Sequence, residues 1–237
     1  MILARRAIAC LRRVVAGLLL CAVGGAQAQT SFAAGLVTDY RVRGMSFSED
    51  GAVPQLSANF DGASGLYAGA LLTRASLRYT EMDGQALAYA GYARRFGEAL
   101  AWEVGASASR YRHAGNYDYH ELYAGLSAER LGVRLYYAPR YFGIDGRSAY
   151  LEANGSYPLC DWLDLVGHAG YVYALARESR WLYRPAPRTD LRLGLSATSG
   201  PWALQLSWVG VRRDSGLYPG APQPHPRTLL AGVVRNF

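Results

Sequence analysis

Trp102-Glu103-Val104-Gly105-Ala106-Ser107-Ala108-Ser109 decides the fold. Trp102, Val104, Ala106 and Ala108 fall on one face, and Glu103, Gly105, Ser107 and Ser109 on the other. Side chains of a β-strand point alternately to opposite faces, so a period of two reads as strand. A helix would need its apolar residues three and four apart, and that spacing is missing here. One apolar face against one small or polar face is what a strand shows when lipid lies outside and an aqueous lumen inside.

The same pattern spreads outward from this stretch. Leu122, Ala124, Leu126 and Ala128 oppose Glu121, Tyr123, Gly125 and Ser127. Leu191, Leu193 and Leu195 oppose Arg192, Gly194 and Ser196. Twelve such segments are expected, near 31–44, 54–61, 65–76, 86–96, 100–112, 119–129, 131–142, 148–158, 163–175, 189–198, 201–213 and 227–237. Most have the roughly 9–11 residues that a tilted strand needs to cross a bilayer. The segments predict an all-β, antiparallel transmembrane barrel of twelve strands. An even count puts both ends on one side.

The connections support this reading independently. Those near 61–64, 97–99, 129–130, 160–162 and 199–200 are tight. Those near 45–53, 77–85, 113–118, 143–147, 176–188 and 214–226 are longer and polar. Bacterial barrels have short periplasmic turns and long outer loops. With a periplasmic start, every tight connection falls on the periplasmic side, a parity that a soluble sandwich has no reason to keep. Trp202 and Trp208 bracket Leu204 and Leu206 on one face of a strand, as expected when it runs from one interfacial girdle to the other.

The ends of the chain carry export signals. Residues 1–28 read as a secretory signal: Arg5, Arg6, Arg12 and Arg13, an apolar run over 14–23, and the small-x-small site Ala26-Gln27-Ala28. The run falls short of the roughly 20 residues of a stable spanning helix. The barrel is expected over 29–237. Losing the four signal arginines lowers the formal charge from +7 to +3, so the basic balance is no argument for nucleic acid. Cys10 and Cys21 leave with the signal, and Cys160 is left without an internal disulfide partner. At the other end stands Phe237, with Leu229, Ala231, Val233 and Arg235 on its face. A terminal aromatic of this kind resembles the signal that the barrel-assembly machinery reads, and an arginine at the rim can reach headgroups.

Specific motifs sharpen the picture. Gly35-Leu36-Val37-Thr38-Asp39-Tyr40-Arg41-Val42-Arg43-Gly44-Met45-Ser46 resembles the opening motif of the TorF family of porins. The similarity continues through Ser64-Gly65-Leu66-Tyr67-Ala68-Gly69, Glu121-Leu122-Tyr123-Ala124-Gly125, Tyr141-Phe142-Gly143 and residues 150–159. The resemblance implies an outer-membrane barrel with a channel role. It implies neither a defined substrate nor catalytic residues.

On the predicted lumen face stand Asp39, Arg41 and Arg43 from the first strand, joined by Glu103, Glu121, Arg134, Arg140, Glu152 and Arg192. Such charges either line a pore and set its ion preference or pair into a ladder that fills the barrel, since a charge in a small lumen needs water or a partner. Twelve strands lie between the filled barrels of about 8 and the open ones of about 16–18. If a pore is present, Arg41, Arg43, Arg134, Arg140 and Arg192 favour small anions. Catalysis needs a nucleophile, a base and an orienting group together. His113 and His120 flank one outer loop near Asp118, and His168 faces the lumen between Val166 and Gly170; their spacing matches no metal motif, and a polar loop and a structural lumen histidine account for them. The expected role is passive passage of small hydrophilic solutes, without enzyme activity, cofactor or metal. The alternatives are a plugged structural or adhesive barrel and an outer-membrane lipid-modifying enzyme. Expected partners are membrane lipid and lipopolysaccharide, the assembly machinery and the solutes.

Overall fold

A computed structural model describes residues 28–78, 80–142, 146–177, 188–213 and 225–237. The expected leader, except Ala28, lies outside the described residues, as does most of the connections 176–188 and 214–226.

Twelve antiparallel strands close into one barrel. They are β1 (Gln29–Val37), β4 (Val53–Asp61), β5 (Leu66–Thr73), β6 (Gly84–Phe96), β7 (Leu100–Arg112), β8 (Tyr119–Ser127), β9 (Leu131–Ala138), β10 (Gly146–Cys160), β11 (Leu163–Arg177), β12 (Arg188–Ser199), β13 (Trp202–Arg213) and β14 (Arg227–Asn236). Each strand pairs with its neighbours in sequence, and β1 closes the ring against β14 through Ala33↔Asn236 to Val37↔Gly232. Closure leaves no edge strand, so the backbone amides of the wall are paired within it, as lipid requires. The strand count, the antiparallel order and the grouping of the tight turns at one end agree with the sequence reading.

The faces agree as well. Leu36, Leu56, Leu72, Leu122, Leu135, Leu193 and Leu204 all point outward and are exposed. Trp202, Leu204, Leu206 and Trp208 share that outer surface. An apolar belt encircling a barrel far exceeds the few hundred Å² of apolar patch that a soluble monomer shows. Lipid is its physical solvent, and the molecule is a membrane barrel.

The first segment departs from expectation. Its strand ends at Val37 rather than continuing to residue 44. Thr38 ends the ladder: its Oγ1 accepts the Ala231 N–H at 2.9 Å, taking a bond that a backbone carbonyl would otherwise receive. The chain then turns into the lumen and forms a small hairpin of β2 (Arg41–Val42) and β3 (Met45–Ser46). Arg43 and Gly44 form its two-residue turn with φ of 50° and 77°. Positive φ at both central residues is what a tight type I′ hairpin turn demands. Alternation persists through 38–46 because this piece is extended, but its partner is itself rather than the barrel wall.

This hairpin crosses the bore. Gly44 abuts Val211 on β13 and Asp190 on β12, so that a Cβ there would lie 2.7 Å from the Asp190 Cβ and collide with Val211. Phe47, just past the hairpin, is 1% exposed and packs against Tyr111 and Phe142 with ring centroids 5.9 and 5.2 Å apart. Met45, Ala75, Leu77, Met82, Ala114, Tyr119, Ala138 and Tyr141 complete a core inside the outer end of the barrel. Burying an aromatic side chain contributes about 1.5–3 kcal/mol, which offsets the entropy of ordering the loops. The Ser76 N–H donates to the Phe47 carbonyl at 2.7 Å, fastening the second outer connection onto the first.

Candidate functional site

Below this core the lumen opens into a cavity of about 1030 Å³, and the hairpin forms its roof. Its walls are the inward faces of the strands. On β5, β7, β8, β9 and β10 these faces place Tyr67, Glu103, Tyr123, Arg134, Tyr136 and Glu152 around one space. The Tyr67 hydroxyl donates to Glu103 at 2.5 Å. Arg134 holds Glu103 at 2.6 Å and approaches Glu152 at 3.8 Å, with its guanidinium over the Tyr123 ring. The Tyr136 hydroxyl donates to Glu152 at 3.3 Å. Both carboxylates therefore have cationic and phenolic partners, as charges in a confined space require.

The roof carries the same logic. Arg43 donates to Glu121 at 2.7 Å, and both side chains are buried. Its guanidinium lies over the rings of Tyr150, Tyr141 and Tyr136 at 4.2, 4.9 and 5.3 Å. Burial works against its charge, yet Tyr141 and Glu121 raise its hold on the proton above that of a free guanidinium. Asp39 accepts from Arg41 at 2.5 Å and from the Ser46 and Ser48 hydroxyls at 2.6 and 3.0 Å. Arg41 reaches on to Asp50 and to the His225 carbonyl. Burial pushes the nearby Tyr40 phenol above its ordinary range. Asp39 and Arg41 thus fold the loop, and Arg43 pins it to the wall.

The far wall differs. On β11 and β12, His168 sits 2.7 Å from the Asn154 amide oxygen and 2.9 Å from Asp190, which also accepts from the Tyr150 hydroxyl at 3.3 Å. Arg192 donates to the Gln205 side-chain oxygen and, among the described residues, forms no ion pair.

Several sequence expectations need correction. Asp39, Arg41 and Arg43 line the cavity from an inserted loop and its small hairpin, not from a strand of the barrel wall. Arg140 lies beyond the end of β9 and is exposed in an outer connection, because β9 stops at Ala138. Glu103, Glu121, Arg134, Glu152 and Arg192 do face the lumen. His113 pairs with Asp83 at 3.3 Å, Asp118 with Arg110 at 3.0 Å, and His120 points outward, so these three form no constellation. Among the described residues no cluster of potential metal ligands occurs. Tyr67, Tyr89, Tyr136 and Tyr150 are lumen residues that the sequence reading passed over, and Tyr123 joins them on the inward face where alternation places it. The signal was present: Tyr123 shares a face with Glu121, and the hydroxyl end of its ring lies over Gly105 of the adjacent strand, where a Cβ would collide with it. Asp190 was missed although it shares the inward face of Arg192.

Comparison with known proteins agrees with this geometry. The KdgM porin aligns with a TM-score of 0.58 at 14% identity, covering 87% of this chain and 99% of that one. The NanC porin aligns with a TM-score of 0.58 at 10% identity and the same coverage. The KdgM porin in complex with disordered oligogalacturonate aligns with a TM-score of 0.55 at 13% identity, covering 89% and 99%. At such identities the likeness is one of fold. No curated protein matches by sequence. Residues 22–231 match the family described as Bacterial protein of unknown function (Gcw_chp), a different label from the TorF name that the motifs suggest. This barrel, with its inserted first loop, therefore belongs to the Gcw_chp family.

Proposed function

We propose that the protein is a channel of the bacterial outer membrane for passive passage of small hydrophilic solutes. The carrying observation is a closed lipid-facing barrel around a polar cavity of about 1030 Å³. Pore-sized space lined by hydroxyls, amides and paired charges lets a hydrated solute trade water for protein contacts. The likeness in fold to the KdgM and NanC porins supports the same reading. Membrane lipid, lipopolysaccharide and the solutes are its proposed partners. Phe237, exposed at the periplasmic rim beside Arg235, is the proposed contact for the assembly machinery.

A general preference for anions is not expected from the lining. Asp39, Asp61, Glu103, Glu121, Glu152 and Asp190 reach the cavity against Arg41, Arg43, Arg134 and Arg192. Three of those arginines are tied to carboxylates.

One observation favours a second reading, a plugged structural barrel: the hairpin crosses the bore between Glu121 and Val211. Planar-bilayer recordings of the purified barrel and of Gly44→Val separate the two. The substitution introduces a side chain where Val211 and Asp190 leave no space, at a φ that a β-branched residue resists, so the hairpin unseats. Steady wild-type conductance that rises in the variant supports a channel with the hairpin as its constriction. Silence in both correctly folded barrels overturns the channel and favours the plug.

A further inference from the structure

We infer that Arg192, with Gln205 beside it, is a carboxylate-binding point on the β12–β13 wall of the lumen. The inference rests on the reading that solutes enter this cavity. It starts from an inequality among the four arginines that reach it. Arg41 holds Asp39 and Asp50, Arg43 holds Glu121, and Arg134 holds Glu103 with Glu152 nearby. Arg192 has a neutral amide instead.

The local geometry leaves this cation available. Asp190 stands two positions along the same face, but its carboxylate is held from the β11 side by His168 at 2.9 Å and by the Tyr150 hydroxyl at 3.3 Å. The Arg192 Nε is buried without a partner, and the residue lines the cavity. Gln205 spends its carbonyl oxygen on Nη2. Its amide nitrogen donates no bond among the described residues, so it remains a second donor beside the fork. A guanidinium presents parallel N–H groups that match the two oxygens of a carboxylate. A cation in a partly dehydrated wall gains most from an anion that supplies the missing charge. The expected occupant is a small solute with a carboxylate at one end and hydroxyls that meet the surrounding tyrosine, asparagine and serine groups. Bulk selectivity stays weak, because the site is a single point in a lining whose other arginines are neutralised.

Calorimetry on the purified barrel in detergent tests this, with sodium glucuronate as probe and glucose as the neutral control. Saturable one-to-one glucuronate binding is expected, with no comparable heat from glucose. Arg192→Gln should weaken it about tenfold or more, the loss of a charge-assisted contact. Arg140→Gln removes the same charge from an outer loop and should leave binding unchanged. Circular dichroism and heat-shifted gel mobility establish that each variant is folded. Equal binding by wild type and Arg192→Gln, equal loss in both variants, or equal heats from glucuronate and glucose overturns the site. A barrel that conducts without binding glucuronate refutes the site and leaves the channel standing. A silent barrel that binds it through Arg192 refutes the channel and leaves the site.

Discussion

The outer end of the lumen and the cavity beneath it are built from the same residue, tyrosine, used in opposite ways. In the outer end Tyr111, Tyr119 and Tyr141 pack ring against ring with Phe47 and Phe142. In the cavity Tyr67, Tyr136 and Tyr150 lie along the wall and direct hydroxyls at Glu103, Glu152 and Asp190. The first arrangement excludes water and fixes an inserted loop. The second satisfies charge while keeping space open. An amphipathic ring allows both, and its neighbours decide which half of it is used. Arg43 marks the border: its guanidinium meets Glu121 while its faces meet aromatic rings.

That contrast can be broken in a graded way, read as the unfolding midpoint of the purified barrel in urea. Arg43→Gln should cost most, about 3–5 kcal/mol, because Glu121 is left buried without its cation. A midpoint that does not move would show that Glu121 finds water and that the border is wet. Phe47→Ala also empties the dry end and should cost about 3–5 kcal/mol; protease cleavage within residues 38–52 should accelerate with it, and unchanged cleavage would mean that the loop is held by its polar anchors alone. Tyr67→Phe tests the cavity by removing one phenol from Glu103, with an expected loss of about 1.5–3 kcal/mol. If it stabilises the barrel instead, the hydroxyl layer is there for solute rather than for structure. Arg192→Gln should matter least, about 0.5–1.5 kcal/mol, since only a bond to neutral Gln205 is lost. A loss as large as that of Arg43→Gln would assign Arg192 a structural partner outside the described residues.

Much of the barrel was legible because strand geometry leaves few choices. The inward placement of Glu103, Glu121, Arg134 and Arg192 follows from parity alone once each strand is recognised. Tyr123 was equally legible, since it stands on the same face as Glu121. The insertion of 38–52 was not legible from alternation, because a hairpin that pairs with itself keeps the same period as a wall strand. Its one local mark was Arg43-Gly44 between extended residues, a turn signal weaker than Asn-Gly. Arg140 was placed inward because Pro139 to Phe142, after Ala138, was read as a continuation of the strand, whereas Tyr141 and Phe142 leave the wall to join the core.

By itself the sequence determined the wall: twelve lipid-facing strands, short turns on one side, and the residues that point inward. Alternation does this because a strand has only two faces, and burying or exposing the wrong one in lipid is costly. Tertiary structure alone decided which inward charges meet. Arg43 and Glu121 are 78 residues apart, and Glu103 and Arg134 are 31 apart. Their encounters depend on barrel closure, strand register and an inserted loop, none of which a period of two encodes. Strand register brings Glu103 to Arg134 and Gln205 to Arg192, and the inserted loop brings Arg43 to Glu121.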